Sequence, residues 1–254
     1  MKFEILLSCM NEKDLSIISK SNIKCDSIVV NQCDSNNVIV EKNIKWINST
    51  ERGLSRSRNL AISYATNDIC LLSDNDEIFI DNIEKIIVNE YNMNTDADII
   101  IFNIINFPKK LGNKKRKLRR MDLLKISSQQ ISFRLSSIKN KIKFDEKLGA
   151  GTENGAGEEN DFLLRCYKNN LNIYYVPIEI ATVNFEPSTW FKGYNEKYFY
   201  NRGRTTKYIF GFWFAFVYAI YFVVFKHKVY KKDILFLKAL KNIMKGIFSR
   251  EMLT

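Results

Sequence analysis

Histidine is almost missing from this 254-residue chain: His227 is the single one, in the basic stretch FKHKVYKK. A Ser-His-Asp triad would have to be built on that residue, and a His-rich zinc site is excluded. Acid–base chemistry therefore falls to carboxylates. Proline is scarce too, with 3 residues, which argues against long disordered linkers. The five cysteines (Cys9, Cys25, Cys33, Cys70 and Cys166) are odd in number and form no CxxC pair. Most lie in apolar stretches, as buried free thiols do, which points to a reducing compartment. The N-terminus MKFEILLSCMNEKD has too short an apolar core for a signal peptide, so synthesis without export is expected. Zinc-finger, RNP and helix-turn-helix spacings are absent, and no nucleic-acid partner is expected.

Charge of one sign dominates what remains. The net charge is +11, and residues 109–120 (KKLGNKKRKLRR) hold eight Lys/Arg and no acid, leaving 11 − 8 = +3 for the rest. Such a run is either a solvated loop or a surface for an anionic ligand or membrane. The 46% hydrophobic content is ordinary for a globular protein with a sizeable core.

The first hundred residues alternate strand and helix signals. Strands are predicted at 3–7 (FEILL), 27–30, 38–40 with 44–47, 69–72 and 98–107; helices at 11–20, at 54–64, and after Asp81 as a cap. This alternation means an α/β domain with a mainly parallel sheet. Ligands of such sheets bind beyond the carboxyl ends of the strands, which here carry Ser8, Asn31–Asp34 and Asp74–Glu77. Further on, a glycine-rich stretch (148–157) precedes an expected helix at 158–169, and 172–176 (NIYYV) reads as a strand ending at Pro177. Residues 209–225 are seventeen positions without a charge. As one helix they measure ~25 Å against a hydrocarbon core of ~30 Å, enough for membrane contact and barely enough to span. A basic amphipathic tail follows at 230–250. The expected organisation is a catalytic domain at 1–190 and a helical, membrane-associated segment at 191–254.

Three constellations carry chemistry. SDNDEIF (73–79) puts Asp74 and Asp76 two residues apart at a strand end, where a hard divalent cation is typically held by one or two carboxylates plus substrate phosphates. Glu77, by alternation, turns away from Asp76 toward a salt bridge or solvent. ERGLSRSRN (51–59) is either a plain helix start capped by Ser55 or a phosphate- or base-contacting element with three arginines. GEEND (157–161) places three acids at a helix start, as dipole partners or as a source of a general base.

In this order and spacing the motifs resemble family 2 glycosyltransferases of the GT-A fold, particularly those of bacterial capsule and exopolysaccharide synthesis. The resemblance runs from about Phe3 to about Gly203 and rests on 51–59, on 73–77 and on 144–176 (FDEKLGAGTENGAGEENDFLLRCYKNNLNIYYV). It implies a Rossmann-like, mainly parallel mixed sheet followed by membrane-associated C-terminal helices. It implies Asp76 as ligand of Mn²⁺ or Mg²⁺ and Asp74 as a nucleotide contact. Ser8, Gln32 and Arg58 lie where the family contacts nucleobase and ribose. Glu159 stands where the family's base is usually Asp, and Asp161 is its rival; Glu158 and Trp190 fall on the acceptor side. Trp190, Phe191, Tyr194 and Tyr198 would stack on a sugar or pack between the domain and its tail. Two further departures are Asn31-Gln32, where many relatives carry acids, and the lack of a histidine after Pro177. The implied reaction is metal-dependent, inverting transfer from a nucleotide-diphosphate sugar to a hydroxyl of a lipid-linked or growing polysaccharide, at the cytoplasmic face of the bacterial membrane. The rival reading is a non-catalytic, membrane-associated module that binds a nucleotide or anionic lipid.

Overall fold

In a computed structural model, which describes residues 1–107, 111–184, 191, 193–251 and 253, the apolar runs form one ten-stranded sheet. Its strands are β1 (Phe3–Met10), β2 (Asp26–Gln32), β3 (Asn37–Glu41), β4 (Ile44–Ser49), β5 (Ile69–Asp74), β6 (Glu77–Phe79), β7 (Ile99–Ile104), β8 (Arg116–Lys117), β9 (Ile131–Arg134) and β10 (Ile173–Val183). The order is β3-β4-β2-β1-β5-β9-β7-β10-β6, with β8 beside β10. β4, β2, β1 and β5 run parallel, and β9 enters antiparallel between β5 and β7. The helices are α1 (Ser16–Lys20), α2 (Leu54–Tyr64), α3 (Ile83–Met93), α4 (Leu135–Ile138), α5 (Glu158–Lys168), α6 (Glu196–Phe210), α7 (Phe212–Phe225), α8 (His227–Tyr230) and α9 (Phe236–Phe248).

The chain divides into two units: Met1–Asp145 with Glu159–Glu186, and Glu146–Glu158 with Pro187–Thr254. The first holds the whole sheet. β1, β5 and β7 are near-continuous apolar runs because both faces of a central strand are covered. On one face Phe3, Ile5 and Leu7 pack with Ile17 and Ile18 of α1 and with Ile83, Ile87 and Tyr91 of α3. Cys9, Cys25, Cys70 and Cys166 are free and buried, and burial raises the Cys9 and Cys25 thiols to about 12.

Several elements differ from their sequence patterns for local reasons. The helix expected at 11–20 contracts to Ser16–Lys20, because the Asp14 carboxylate takes the Ser16 N–H and forms a turn there. α2 starts at Leu54 behind Gly53, at φ 121, so Ser55 is inside the helix rather than its cap. Asp81 does not cap α3: Asn82, at φ 60, precedes the helix, and the Asp81 carboxylate bonds Lys24 at 2.7 Å. β10 does not stop at Pro177 but continues to Val183, with a register shift between Tyr175 and Glu179 that accommodates the proline. Part of the basic run is tied into the first unit: Arg116 pairs with Asp122 at 2.7 Å, and Lys115 with Glu90 at 3.4 Å. Hydrogen bonding from Arg116 draws the Asp122 carboxyl down to about 2.

In the second unit α6 and α9 cross through two glycines. A Cβ on Gly203 would sit 2.1 Å from the Ile243 carbonyl oxygen, and one on Gly246 2.0 Å from that of Tyr200. Phe199, Ala215, Ala219, Val223, Tyr230, Ile243 and Ile247 form the core there. Tyr194 and Tyr198 meet edge-on at 5.0 Å, and Tyr198 also packs on Phe199 at 5.4 Å, so these two rings serve helix packing. The apolar run 209–225 is not one helix: Gly211, at φ 88, separates α6 from α7. Among the described residues no helix is long and apolar enough to cross a membrane.

Because backbone lies on the far side of each glycine contact, Gly203→Ala is expected to lower stability by ~1–3 kcal/mol through overpacking. Urea denaturation checks this beside exposed Leu237→Ala, expected within about 0.5 kcal/mol of wild type. Equal midpoints for the two variants would show that α6 and α9 do not meet through these glycines.

Candidate active site

The parallel strands bring their polar carboxyl ends to one edge. Ser8 on β1 stands opposite Asp74 on β5, and Met10 opposite Gln32 on β2. Residues of 51–59 bond to all three strand ends. The Ser57 hydroxyl donates to Ser8 Oγ at 2.8 Å, and the Gly53 N–H donates to Gln32 Oε1 at 2.7 Å. Arg58 Nη2 donates to Asp74 Oδ1 and Oδ2 at 3.1 and 3.2 Å. Its guanidinium is 1% exposed and lies 5.5 Å from the Phe144 ring centroid. Gln32 is thus committed to the chain itself, and Asn31 also, through Glu12 and Asn48. Arg52 bonds the Cys33 carbonyl and Asp34 at 2.7 and 2.6 Å.

The acidic turn is held by residues that composition alone did not single out. Ser128 Oγ donates to Asp74 Oδ2 at 3.2 Å, and Gln129 Nε2 donates to Asp76 Oδ1 at 3.2 Å. Gln130 Nε2 reaches the Phe102 carbonyl at 2.8 Å, anchoring the segment to β7. The visible signal was SSQQ, a polar cluster directly before the apolar ISF of β9. Ser127 and Gln130 cap this short turn reciprocally.

Glu77 departs most from expectation. It reaches neither solvent nor a salt bridge: it is 1% exposed and neither carboxyl oxygen has a hydrogen-bond partner of ordinary geometry. β6 pairs with β10, Glu77 opposite Val183, and burial follows. That burial first, and the charge of Asp74 next, push its pKa well above the usual carboxylate range. The neighbouring Asp76 charge acts in the same direction, and the nearby Ser73 hydroxyl does not offset it.

The expected bases sit on α5. Glu159 is half-buried; Glu158 and Asp161 are buried. Asp161 takes the Arg165 Nε–H at 2.8 Å and pairs with Nη2 at 2.6 Å. Its pKa is nevertheless raised, because loss of hydration outweighs the arginine. Phe144 links α5 to Arg58 and Asn59 of α2. Its ring stacks on Phe162 at 4.2 Å, while its backbone N–H and C=O both bond Asn59, at 2.8 and 3.0 Å. Trp190 lies outside the described residues.

The donor set suits a hard cation. Asp76 is half-buried and Asp74 keeps 22% of its side-chain surface. Their oxygens fit Mg²⁺ or Mn²⁺ held by one or two carboxylates with phosphate and water completing the shell. Among the described residues no three His, Cys, Asp or Glu side chains gather into a cage that would hold a metal unaided.

Residues 19–152, more than half of the chain, match the family described as Glycosyl transferase family 2. No curated protein sequence matches this one. Among solved structures, S. aureus TarS 1-349 is similar, with a TM-score of 0.65 at 15% identity, covering 98% of this chain and 81% of that one. Its complex with UDP-GlcNAc matches at 0.65 and 15%, covering 97% and 82%. The complex with UDP matches at 0.63 and 16%, covering 98% and 81%. At such identities the likeness establishes the GT-A type of α/β fold.

Glu77 generates a pH dependence. The unfolded-state pKa of a Glu is about 4.3, and the folded one is higher. The stabilising effect of the retained proton is therefore complete below about pH 4.3 and is lost as pH rises toward the folded pKa. Glu77→Gln, measured by urea denaturation in EDTA, is expected to flatten the decline of stability as pH rises above about 4.3. An unchanged slope would rule out a carboxyl buried without partners.

Proposed function

The chain belongs to glycosyl transferase family 2, and we propose that it moves a sugar from a nucleotide-diphosphate donor to an acceptor hydroxyl in one inverting, metal-dependent step. The acceptor in this reading is a lipid-linked or growing polysaccharide of the capsule or exopolysaccharide kind. One observation supports it above the others: the bonds from 51–59 to Ser8, Gln32 and Asp74 prearrange three strand ends around a pair of acids.

Asp76 would hold a divalent cation, which when bound would supply Lewis-acid neutralisation of the leaving diphosphate. Asp74 contacts the nucleotide, its carboxylate fixed by Arg58 and Ser128 so that little reorganisation is needed on binding. Ser8 and Gln32 stand on the nucleoside side, although Gln32 Oε1 is already taken by the Gly53 N–H. Glu159 accepts the proton of the acceptor hydroxyl at a carboxylate oxygen as that hydroxyl attacks the anomeric carbon. Attack opposite the departing diphosphate inverts the centre. Glu159 is preferred because it stands at the position of the family's usual base; Asp161, paired with Arg165 at 2.6 Å, is the rival. The methylene by which Glu exceeds Asp moves the carboxylate by about an ångström, a shift that α5, pinned through Phe144, must accommodate.

Glu159→Gln is expected to lower turnover ~10²–10⁴-fold with donor affinity kept, as removal of a general base does. Asp161→Asn is expected to lower it far less. Asp76→Ala is expected to abolish Mn²⁺-dependent turnover; undiminished transfer by that variant would refute the metal assignment. A thermal-shift series of UDP-, GDP- and dTDP-sugars with Mn²⁺ identifies the donor, beginning with UDP-GlcNAc because TarS has been solved with it. A non-catalytic module would give a shift but no turnover.

A further inference from the structure

The apolar C-terminal segment is used unevenly. The amphipathic tail helix α9 turns Ala239, Ile243 and Ile247 into the core of its own unit. That apolar face is covered by α6 and is not available to a bilayer. α7 is different, because it is apolar all round. Ala215, Ala219 and Val223 face inward. The opposite face carries Trp213, Val217, Ile220, Tyr221, Val224 and Phe225, all exposed, with Trp213 at 80% and Phe225 at 72%. Their spacing (i, i+4, i+7, i+8, i+11, i+12) is a single helical stripe. A helix apolar on every side is ordinarily buried on every side, and a contiguous exposed patch of this kind marks an interaction surface.

Charge selects the occupant. Residues 197–232 contain eight Lys/Arg and no Asp or Glu. Four of these, Lys226, Lys228, Lys231 and Lys232, are exposed just beyond the carboxyl end of the stripe. Apolar side chains beside a cluster of lysines match a bilayer whose headgroups are anionic. Trp213 and Tyr221 are the ring types that favour the headgroup level. A second copy of the chain would set one lysine-rich surface near another, at a net charge of +11 each. With fourteen residues α7 is ~21 Å long at ~1.5 Å per residue, short of the ~30 Å hydrocarbon core.

We infer that the outward stripe of α7, fringed by Lys226–Lys232, seats this protein on an anionic membrane leaflet with α7 lying in the plane of the interface and not across it. The surface is compatible with a lipid-linked acceptor but does not rest on the catalytic reading.

The test is flotation of the full chain with vesicles of phosphatidylcholine and phosphatidylglycerol at 3:1, beside vesicles of phosphatidylcholine alone. Wild type is expected to float with the anionic vesicles, at least tenfold better than with the neutral ones, and less in high salt. Val217→Glu with Val224→Glu, both at exposed positions, is expected to weaken binding at least tenfold with an unchanged circular-dichroism melt. Brominated acyl chains are expected to quench tryptophan emission in wild type, and to lose part of that effect in Trp213→Phe. Three results would overturn the inference: no flotation of wild type, equal flotation of the double variant, or a dimer in sedimentation that the double variant dissociates. Sugar-transfer activity is scored separately, so failure of either reading leaves the other standing.

Discussion

The ion pair between Arg58 and Asp74 is the interaction on which the candidate site depends. Arg58 is almost fully buried, and a guanidinium cannot shed its charge to escape burial. It is tolerated because Asp74 answers it at 3.1 Å and the Phe144 ring lies beneath it. The consequence runs in both directions. Asp74 is oriented at the strand end, and Phe144 is fixed between Arg58 and Phe162 of α5. One buried cation thereby relates the Asp74 carboxylate to the helix that carries the proposed base. Its energetic value lies in geometry more than in stability, since forming such a pair loses much of its Coulomb gain to desolvation.

The acids at the strand end illustrate how neighbours divide labour. Asp74, Asp76 and Glu77 are nearly contiguous, and three ionised groups there would repel. Asp74 is neutralised by Arg58, Asp76 is bonded by Gln129 and left half open, and Glu77 is buried and holds its proton more tightly than a free Glu. Two environments thus separate these acids: one pair of carboxylates held by side-chain bonds and partly open at the strand end, and one carboxyl inside the fold.

Much of this was legible in the chain. The apolar runs of β1 and β5 lead straight into polar residues, and the strand–helix alternation announced where their ends would meet. The D-x-D spacing and the ERGLSRSRN element pointed to one edge of the sheet, and the structure brings the two together there. Glu77 was misread because period-2 alternation assigns a face but not what covers it; β10, about a hundred residues later, supplies the cover. The contributions of Ser128 and Gln129 depend on β9 entering between β5 and β7, which no local pattern encodes. The break at Gly211 was hidden for the opposite reason: the apolar run is continuous in composition, and only a positive φ divides it. The likeness to TarS adds the fold but no residue assignments at its level of identity.

The central claim is that Asp74 and Asp76 form the seat of a cation-bridged nucleotide diphosphate. The most direct measurement is anomalous X-ray diffraction from crystals of this protein grown with Mn²⁺ and UDP. The account predicts one Mn²⁺ peak within about 2.2 Å of an Asp76 carboxylate oxygen, bridged to the diphosphate, with Arg58 still paired to Asp74. A nucleotide bound elsewhere, or a diphosphate seated at this edge with Mn²⁺ away from Asp76, would contradict it.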